Sequence, residues 1–385
     1  MTDTIQENTM KFGLLSEGDT PDGMTNYHRY HEVLEEMVLA DALGFDFCGT
    51  SEQHFFPSVA TFSAPETFYG AIAARTSRIK LRHSSVVMLS FNHPIRVAER
   101  LATLDIISNG RVEFCTARSN SPLTLDAFGV DPNETRAQWR EGLEITIRAL
   151  TEDPFEFNGH YYKIPPRTVA PKLYREEMFP VSVVATSLET FALAGKSGLG
   201  ALTNDNFAGW EYLERGAIAY KSAIKNAEPF APYKVNNSLC FTIFVPNCDA
   251  DVERAYRTAR HVAEGFCSLC HMVYMPLVER SESYRDFAGI QDVYEHRTDL
   301  DYMMNKTPSI VVGSPQRFIE TIKRLEALGF DEVCMRIDGF GHEQNMRSIA
   351  MIGKYVIPHF KVPSAVQPSE YRTHLGVKDV PGFML

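Results

Sequence analysis

The chain has 385 residues, 44% of them hydrophobic, with 49 acidic residues against 38 Lys plus Arg and a formal net charge of −11. That length accommodates one elaborated domain with a sizeable core, and 24 Gly and 21 Pro are too few for a fibrous or low-complexity chain. The acidic balance without any Lys/Arg block argues against nucleic-acid or membrane-surface binding, and no signal-like or long apolar run is seen, so a cytoplasmic protein is expected.

Residues 1–10 read as a polar, flexible N-terminus, residues 11–362 as one catalytic domain and residues 363–385 as a tail. Lys11 to Leu15 is a first strand. His31 to Leu43 carries apolar residues at helical spacing and stops at Gly44, before a second strand from Phe45 to Gly49. A helix from Pro65 to Thr76 leads into a strand from Ile79 to Met88. The helix Pro94 to Ile107 closes on Asn109-Gly110 before the strand Arg111 to Thr116, and Glu134 to Leu150 is helical. The alternation breaks at about 153–178, which is rich in Pro and aromatic residues. It resumes with the strand Val181 to Ala185, a helix from Ser187 to Lys196, a strand from Leu199 to Leu202 and a helix from Trp210 to Asn226. Ser238 to Val245 is strand-like, and a helix spans Ala250 to Glu264. A second irregular insertion covers about 266–306. The helix from Ser314 to Leu328, the strand Phe330 to Ile337 and the helix Glu343 to Val356 complete the pattern.

About eight strand–helix units with continuously apolar strands predict a parallel sheet covered by helices. Periodicity does not reveal closure, so a (β/α)8 TIM barrel and an open doubly wound sheet both satisfy it. The first strand is followed by no Gly-x-Gly-x-x-Gly, which weighs toward the barrel.

In a barrel, residues just past the strand C-termini face the active site. Glu52, Gln53 and His54 follow the second strand, beside Phe55 and Phe56. Glu52 and His54 can supply acid–base groups, unless the stretch is a packing loop. Ser84 and Ser85, at the end of the third strand, let a ligand approach or merely fill the barrel. After them, Asn92 and His93 are candidate helix caps. Arg118 follows the fourth strand, where an anion or ring carbonyl of a ligand, or else a structural salt bridge, would repay its desolvation. Thr186, Ser187 and Thr190 open a helix whose free amides suit a phosphate, although Ser187 as a plain N-cap is the commoner role. Arg136, in the first turn of another helix, is either the phosphate's counter-charge or a solvated cation. No hydrolase, zinc-protease or Walker motif is present. Of seven cysteines, Cys267 and Cys270 stand before His271, but no second pair accompanies them. Buried thiols are therefore expected, with no metal.

These stretches together resemble the bacterial-luciferase-like flavin monooxygenases. The likeness rests on Met10-Lys11-Phe12-Gly13, on Leu43-Gly44-Phe45-Asp46 leading to Glu52-Gln53-His54-Phe55, and on His93-Pro94-Ile95-Arg96-Val97-Ala98-Glu99. It continues through Leu104-Asp105-Ile106-Ile107-Ser108-Asn109-Gly110-Arg111 and Val183-Val184-Ala185-Thr186-Ser187. The resemblance implies a TIM barrel, usually dimeric, that binds reduced FMN supplied by a separate NAD(P)H:flavin reductase. Oxygen would add to the flavin at C4a, and the peroxyflavin would oxygenate a mainly apolar small organic substrate. By position, Arg118 would reach the flavin or its phosphate, Arg136, Ser187 and Thr190 would hold the phosphate, and a cis peptide is expected at Ser84-Ser85. Two departures matter. Gln53 stands where luciferases carry the first, catalytic, of two histidines, and Ala117 replaces a cysteine. The resemblance also admits an F420-dependent hydride-transfer enzyme and a non-catalytic flavin-binding protein.

Overall fold

Eight of the apolar runs close into a single parallel barrel in the computed structural model, which describes residues 10–361 except 120, 176, 206, 281–284 and 286. The strands, in chain order, are β1 (Lys11–Leu15), β2 (Phe47–Ser51), β3 (Lys80–Val87), β4 (Val112–Ala117), β5 (Phe155–Asn158), β6 (Lys163–Arg167), β7 (Val181–Val184), β8 (Gly200–Thr203), β9 (Leu239–Ile243), β10 (Val245–Cys248), β11 (Ile310–Gly313) and β12 (Glu332–Arg336). The barrel order is β1-β12-β9-β8-β7-β4-β3-β2, so each barrel strand pairs with the next one in sequence and the last returns to the first. This closure leaves the barrel sheet without an edge and rules out the open-sheet alternative. The expected N-terminal segment (apart from Met10) and the tail lie outside the described residues.

The first irregular stretch is an antiparallel hairpin, β5–β6. It is pinned to the helix Thr135–Thr151 by Glu141, which accepts from the backbone N–H groups of His160 (2.6 Å) and Tyr161 (3.0 Å). The second differs from expectation. The helix that begins at Val252 does not stop near Glu264 but runs to Arg280. Gly265 costs it only about 1 kcal/mol, and Phe266, Cys270 and Tyr274 continue one apolar face at i, i+4 and i+8 against Phe244 and Phe207. The run expected from Ser238 to Val245 is likewise two strands. After β9 leaves the barrel, β10 pairs in parallel with β11, a strand that the sequence reading missed.

Inside the barrel, side chains alternate inward along each strand and stack in layers. At the N-terminal end, Arg82 donates to Glu332 (2.5 Å) and Glu113 (2.7 Å), and Lys11 donates to Glu332 (3.2 Å). The Arg82 guanidinium lies 3.6 Å over the Phe47 ring. Leu15, Phe47, Cys115, Leu202, Cys240 and Cys334 fill the next layer. Two glycines make room for it. A Cβ on Gly13 would sit 1.9 Å from the Phe47 ring, and one on Gly49 would sit 2.1 Å from the Arg82 carbonyl. Arg82 is thus a plug at the barrel's floor rather than a rim residue.

His83, the next residue, points the other way and is fully buried against Tyr69 (4.6 Å between rings), with neither ring nitrogen in hydrogen-bonding geometry to a partner among the described residues. Burial pushes it from 6.5 down to about 4. Between those values the unfolded chain binds the proton and the folded chain does not, so stability drops as pH falls through that window. The loss attributable to this ring is about 3 kcal/mol by pH 4. We expect His83→Leu to lack this component. The stability gap between variant and wild type should move in the variant's favour from pH 7 to pH 4.5, as read by urea midpoints. A pH-independent gap would contradict the assignment.

Candidate active site

The loops at the C-terminal rim gather the sequence-predicted residues into two clusters. The first lies past β2 and β3. Glu52 is buried, and each of its neighbours is a donor: its Oε2 accepts from Val87 N–H (2.9 Å) and Asn92 Nδ2 (3.2 Å), and its Oε1 pairs with His54 Nε2 (3.1 Å). Because the carboxylate is an acceptor here, the neutral imidazole carries its proton on Nε2 and leaves Nδ1 as the acceptor for a ligand. The His54 ring meets the edges of two stacked rings, Phe91 (5.7 Å) and Phe128 (5.2 Å), which lie 4.1 Å apart. Phe55, at φ 68°, holds a largely exposed ring against Phe128. A left-handed conformation at a bulky residue is costly and is retained where the surroundings enforce it.

Gln53 stands apart from this pair. Its backbone N–H donates to the Phe62 carbonyl (3.1 Å), and among the described residues its side-chain amide has no hydrogen-bond partner. Ser84 is buried inside the barrel beside Gly49, and the Ser85 carbonyl accepts from Glu52 N–H (3.1 Å). The Ser84–Ser85 bond is not cis; the cis bonds among the described residues precede Pro154 and Pro171. Instead, the register of β3 shifts against both β2 and β4 at this point, a bulge that re-aims the strand end. The capping question resolves in favour of His93, whose Nδ1 accepts from Ile95 N–H (3.3 Å). Asn92 is left to turn inward.

The second cluster lies past β4 and β7, at the start of the helix Leu188–Lys196. Ser187 and Thr190 form a capping box. Ser187 Oγ accepts from Thr190 N–H (3.3 Å), while Thr190 Oγ1 accepts from the N–H groups of Thr186 (3.1 Å) and Ser187 (2.9 Å). The hydroxyls are therefore engaged in holding the turn, as the plain N-cap reading has it. The first-turn amides that follow remain beyond the reach of any intrahelical carbonyl. Arg136 reaches this turn and donates to Glu189 (2.7 Å). That hydrogen bond, then the Arg136 charge and to a lesser degree Arg118, holds the Glu189 carboxyl below its ordinary value. Arg136, from the first turn of the helix Thr135–Thr151, thus reaches this helix N-terminus and pairs with an exposed carboxylate there, while Arg118 acts on the same carboxylate through its charge. The sequence reading assigned Glu189 no role, because an acidic residue in a first turn is ordinary helix-dipole complementarity.

In barrel order the clusters flank β4, three strand spacings apart from β2 to β7, or about 14 Å along the rim. Across the mouth, past β9 and β12, Phe244 and Phe266 stack at 4.9 Å, and Arg336 lies 5.1 Å over Phe266. Arg336 is itself held by Glu17 (2.8 Å) and Asp338 (3.2 Å). The mouth therefore has aromatic walls on two sides, an acid–base pair on one rim and a cationic helix N-terminus beside it. Among the described residues, no helix is long and apolar enough to cross a membrane.

Comparison with known proteins agrees with the barrel fold. The sequence profile of the family described as luciferase-like monooxygenase matches residues 10–332. The oxygenase component of the flavin-dependent trigonelline monooxygenase of Acinetobacter baylyi is 25% identical over 344 residues, covering 88% of this chain and 92% of that protein. Among solved structures, the oxygenating constituent of 3,6-diketocamphane monooxygenase from Pseudomonas putida, in complex with FMN, matches with a TM-score of 0.75 at 21% identity, over 92% of this chain and all of that one. The coenzyme F420-dependent tetrahydromethanopterin reductase of Methanopyrus kandleri matches with a TM-score of 0.64 at 20% identity, over 92% of this chain and all of that one. Those two likenesses speak for the barrel alone. The profile match extends over most of the sequence, and the chain belongs to the luciferase-like monooxygenase family.

Proposed function

We propose that the protein is the oxygenase component of a two-component flavin monooxygenase, acting with reduced FMN and O2 on a mainly apolar small organic substrate. The observation that carries this reading is the presence of two sites on one barrel rim, the buried Glu52–His54 pair past β2 and the capped helix N-terminus past β7 that Arg136 reaches. A helix N-terminus with Arg136 beside it and the charge of Arg118 acting on it suits a phosphate, and the Glu52–His54 pair suits reacting groups. A phosphorylated ring cofactor needs both, whereas a simple anion needs only the first. Reduced FMN, when bound, supplies two electrons, so that one atom of O2 enters the substrate and the other leaves as water.

The protein's own contributions follow from the geometry. Arg136 would turn from Glu189 to hold the phosphate, and the amides at the start of the Leu188–Lys196 helix would complete its cradle. His54, its Nε2–H fixed by Glu52, offers Nδ1 to take up or return a proton at the reacting centre. Gln53 can donate a hydrogen bond but has no basic atom. The Phe55, Phe91 and Phe128 rings and the Phe244–Phe266 stack exclude water and favour an apolar substrate. A flavin reductase as partner is supported by the trigonelline relative, which is itself described as an oxygenase component.

Anaerobic titration with reduced FMN against reduced F420 separates the two cofactor classes, and product formation with a generic reductase tests oxygenation. Arg136→Ala should weaken reduced FMN about tenfold, less at high salt. Glu189→Gln, which removes the anion that competes with the phosphate, should tighten it by about threefold. Equal FMN affinity in wild type and both variants would remove the phosphate from this helix.

A further inference from the structure

We propose that Asn92 is the positioning residue of the site: it holds the Glu52 carboxylate in the one orientation that fixes His54. The inference rests on the proposed role of His54. Asn92 is buried and lies between the end of β3 and the helix Pro94–Ile107. Its Nδ2 donates to the Glu52 carboxylate (Oε2 at 3.2 Å, Oε1 at 3.4 Å) and to the Val87 carbonyl (3.1 Å), and its Oδ1 accepts from Arg100 Nη2 (2.5 Å). Arginine has no acceptor, and neither the carboxylate nor the carbonyl is a donor. The amide therefore has a single admissible orientation, with both of its N–H groups facing inward. Arg100 is braced in turn by Glu66, which accepts from its Nε (3.1 Å).

Val87 N–H holds Glu52 Oε2 and Asn92 Nδ2 straddles both oxygens, which fixes the plane of the carboxylate and keeps Oε1 directed at His54 Nε2. If Asn92 is lost, one oxygen of a buried carboxylate keeps a single backbone donor, and the group is free to rotate away from the imidazole. No acid–base chemistry is lost with Asn92 itself, since its amide neither titrates nor touches the reacting atoms. What it supplies is alignment, for which an error of about 1 Å can cost on the order of 100-fold in rate.

The test compares Asn92→Leu, Asn92→Asp and Arg100→Met in the full-length protein. The direct readout is the His54 ring N–H in histidine-selective 15N spectra, assigned with His54→Gln. That proton survives solvent exchange only while it is hydrogen-bonded. The signal should be present in wild type, lost in Asn92→Leu, and retained in Arg100→Met, where both amide donors stay in place. Asn92→Asp keeps the Arg100 contact and the size of the side chain but sets a second carboxylate against Glu52. It should add an ionisation to the pH–rate profile that wild type lacks, because two facing carboxyls share a proton. In turnover, Asn92→Leu should lower kcat tenfold or more with KM and FMN affinity changed less than about twofold, and Arg100→Met should stay within about threefold of wild type. Retention of the ring signal in folded Asn92→Leu would overturn the proposal. Should Asn92→Leu not fold, a pH–rate profile for Asn92→Asp identical to that of wild type would do the same. If wild type itself gave no oxygenated product, the functional reading would fail, while the spectra would still decide whether Asn92 fixes His54.

Discussion

His54→Asn should lower the rate of product formation by about 100-fold or more, the range in which a positioned proton-transfer group acts. FMN affinity should change less than about threefold, because the phosphate cluster lies on the far side of β4. Gln53→Ala, in contrast, should stay within about threefold of wild type in turnover. His54 is oriented by a buried carboxylate at 3.1 Å and packed edge-on by two stacked rings, whereas the Gln53 side chain has no partner among the described residues. Product yield and hydrogen peroxide release should be measured together. In His54→Asn the electrons of reduced FMN should pass to peroxide instead of product, whereas Gln53→Ala should stay coupled. A severe loss in Gln53→Ala beside a mild one in His54→Asn would place the chemistry on the glutamine instead.

What the sequence made legible, and what it hid, follows from the range of the interactions. The barrel strands could be read because a strand covered on both faces is a continuous apolar run. The rim motif could be read because Glu52 and His54 directly follow one of those strands. Arg118, Arg136 and the Ser187 turn were likewise recognisable as strand-end and helix-start residues. The contacts that bind these pieces together are a different matter. Arg82 pairs with Glu332 across 250 positions, and a charged residue in a strand reads locally as solvent-facing. Asn92 was weighed as a helix cap because caps are local and its real partner, Glu52, stands 40 residues earlier. Glu189 carries no local signal of a role, and Arg136 reaches it from another helix, 53 positions earlier. The Val252–Arg280 helix was cut short at Gly265, although a Cβ there would meet nothing within 4 Å and the apolar face resumes at Phe266.

The floor of the barrel supports the largest expected change in stability. Arg82→Met should destabilise the fold by about 3–5 kcal/mol at pH 8, because it strands Glu332, which is 1% exposed, in the barrel interior. Lys11 cannot compensate: it reaches Glu332 at 3.2 Å but is itself about half exposed, and the two shorter contacts of the plug both come from Arg82. The pH dependence should change sign. Burial alone would push the Glu332 carboxyl up, but Arg82 and Lys11 hold it below its ordinary 4.5. In wild type this group therefore contributes stability that is present above pH 4.5 and lost as pH falls through its lower folded value. With Arg82 gone, burial prevails and the folded state takes up the proton more readily than the unfolded chain does. The variant's contribution then weakens as pH rises, and its deficit against wild type should widen from pH 5 to pH 8. Arg82→Met combined with Glu332→Gln should recover part of the loss, since the most deeply buried carboxylate is then neutral, while Glu113, which also loses its Arg82 partner, keeps the rest of the deficit. Urea unfolding of the three proteins at both pH values measures each term. A deficit under about 1 kcal/mol at pH 8, or one equal at both pH values, would mean that the plug fills space without bearing on stability.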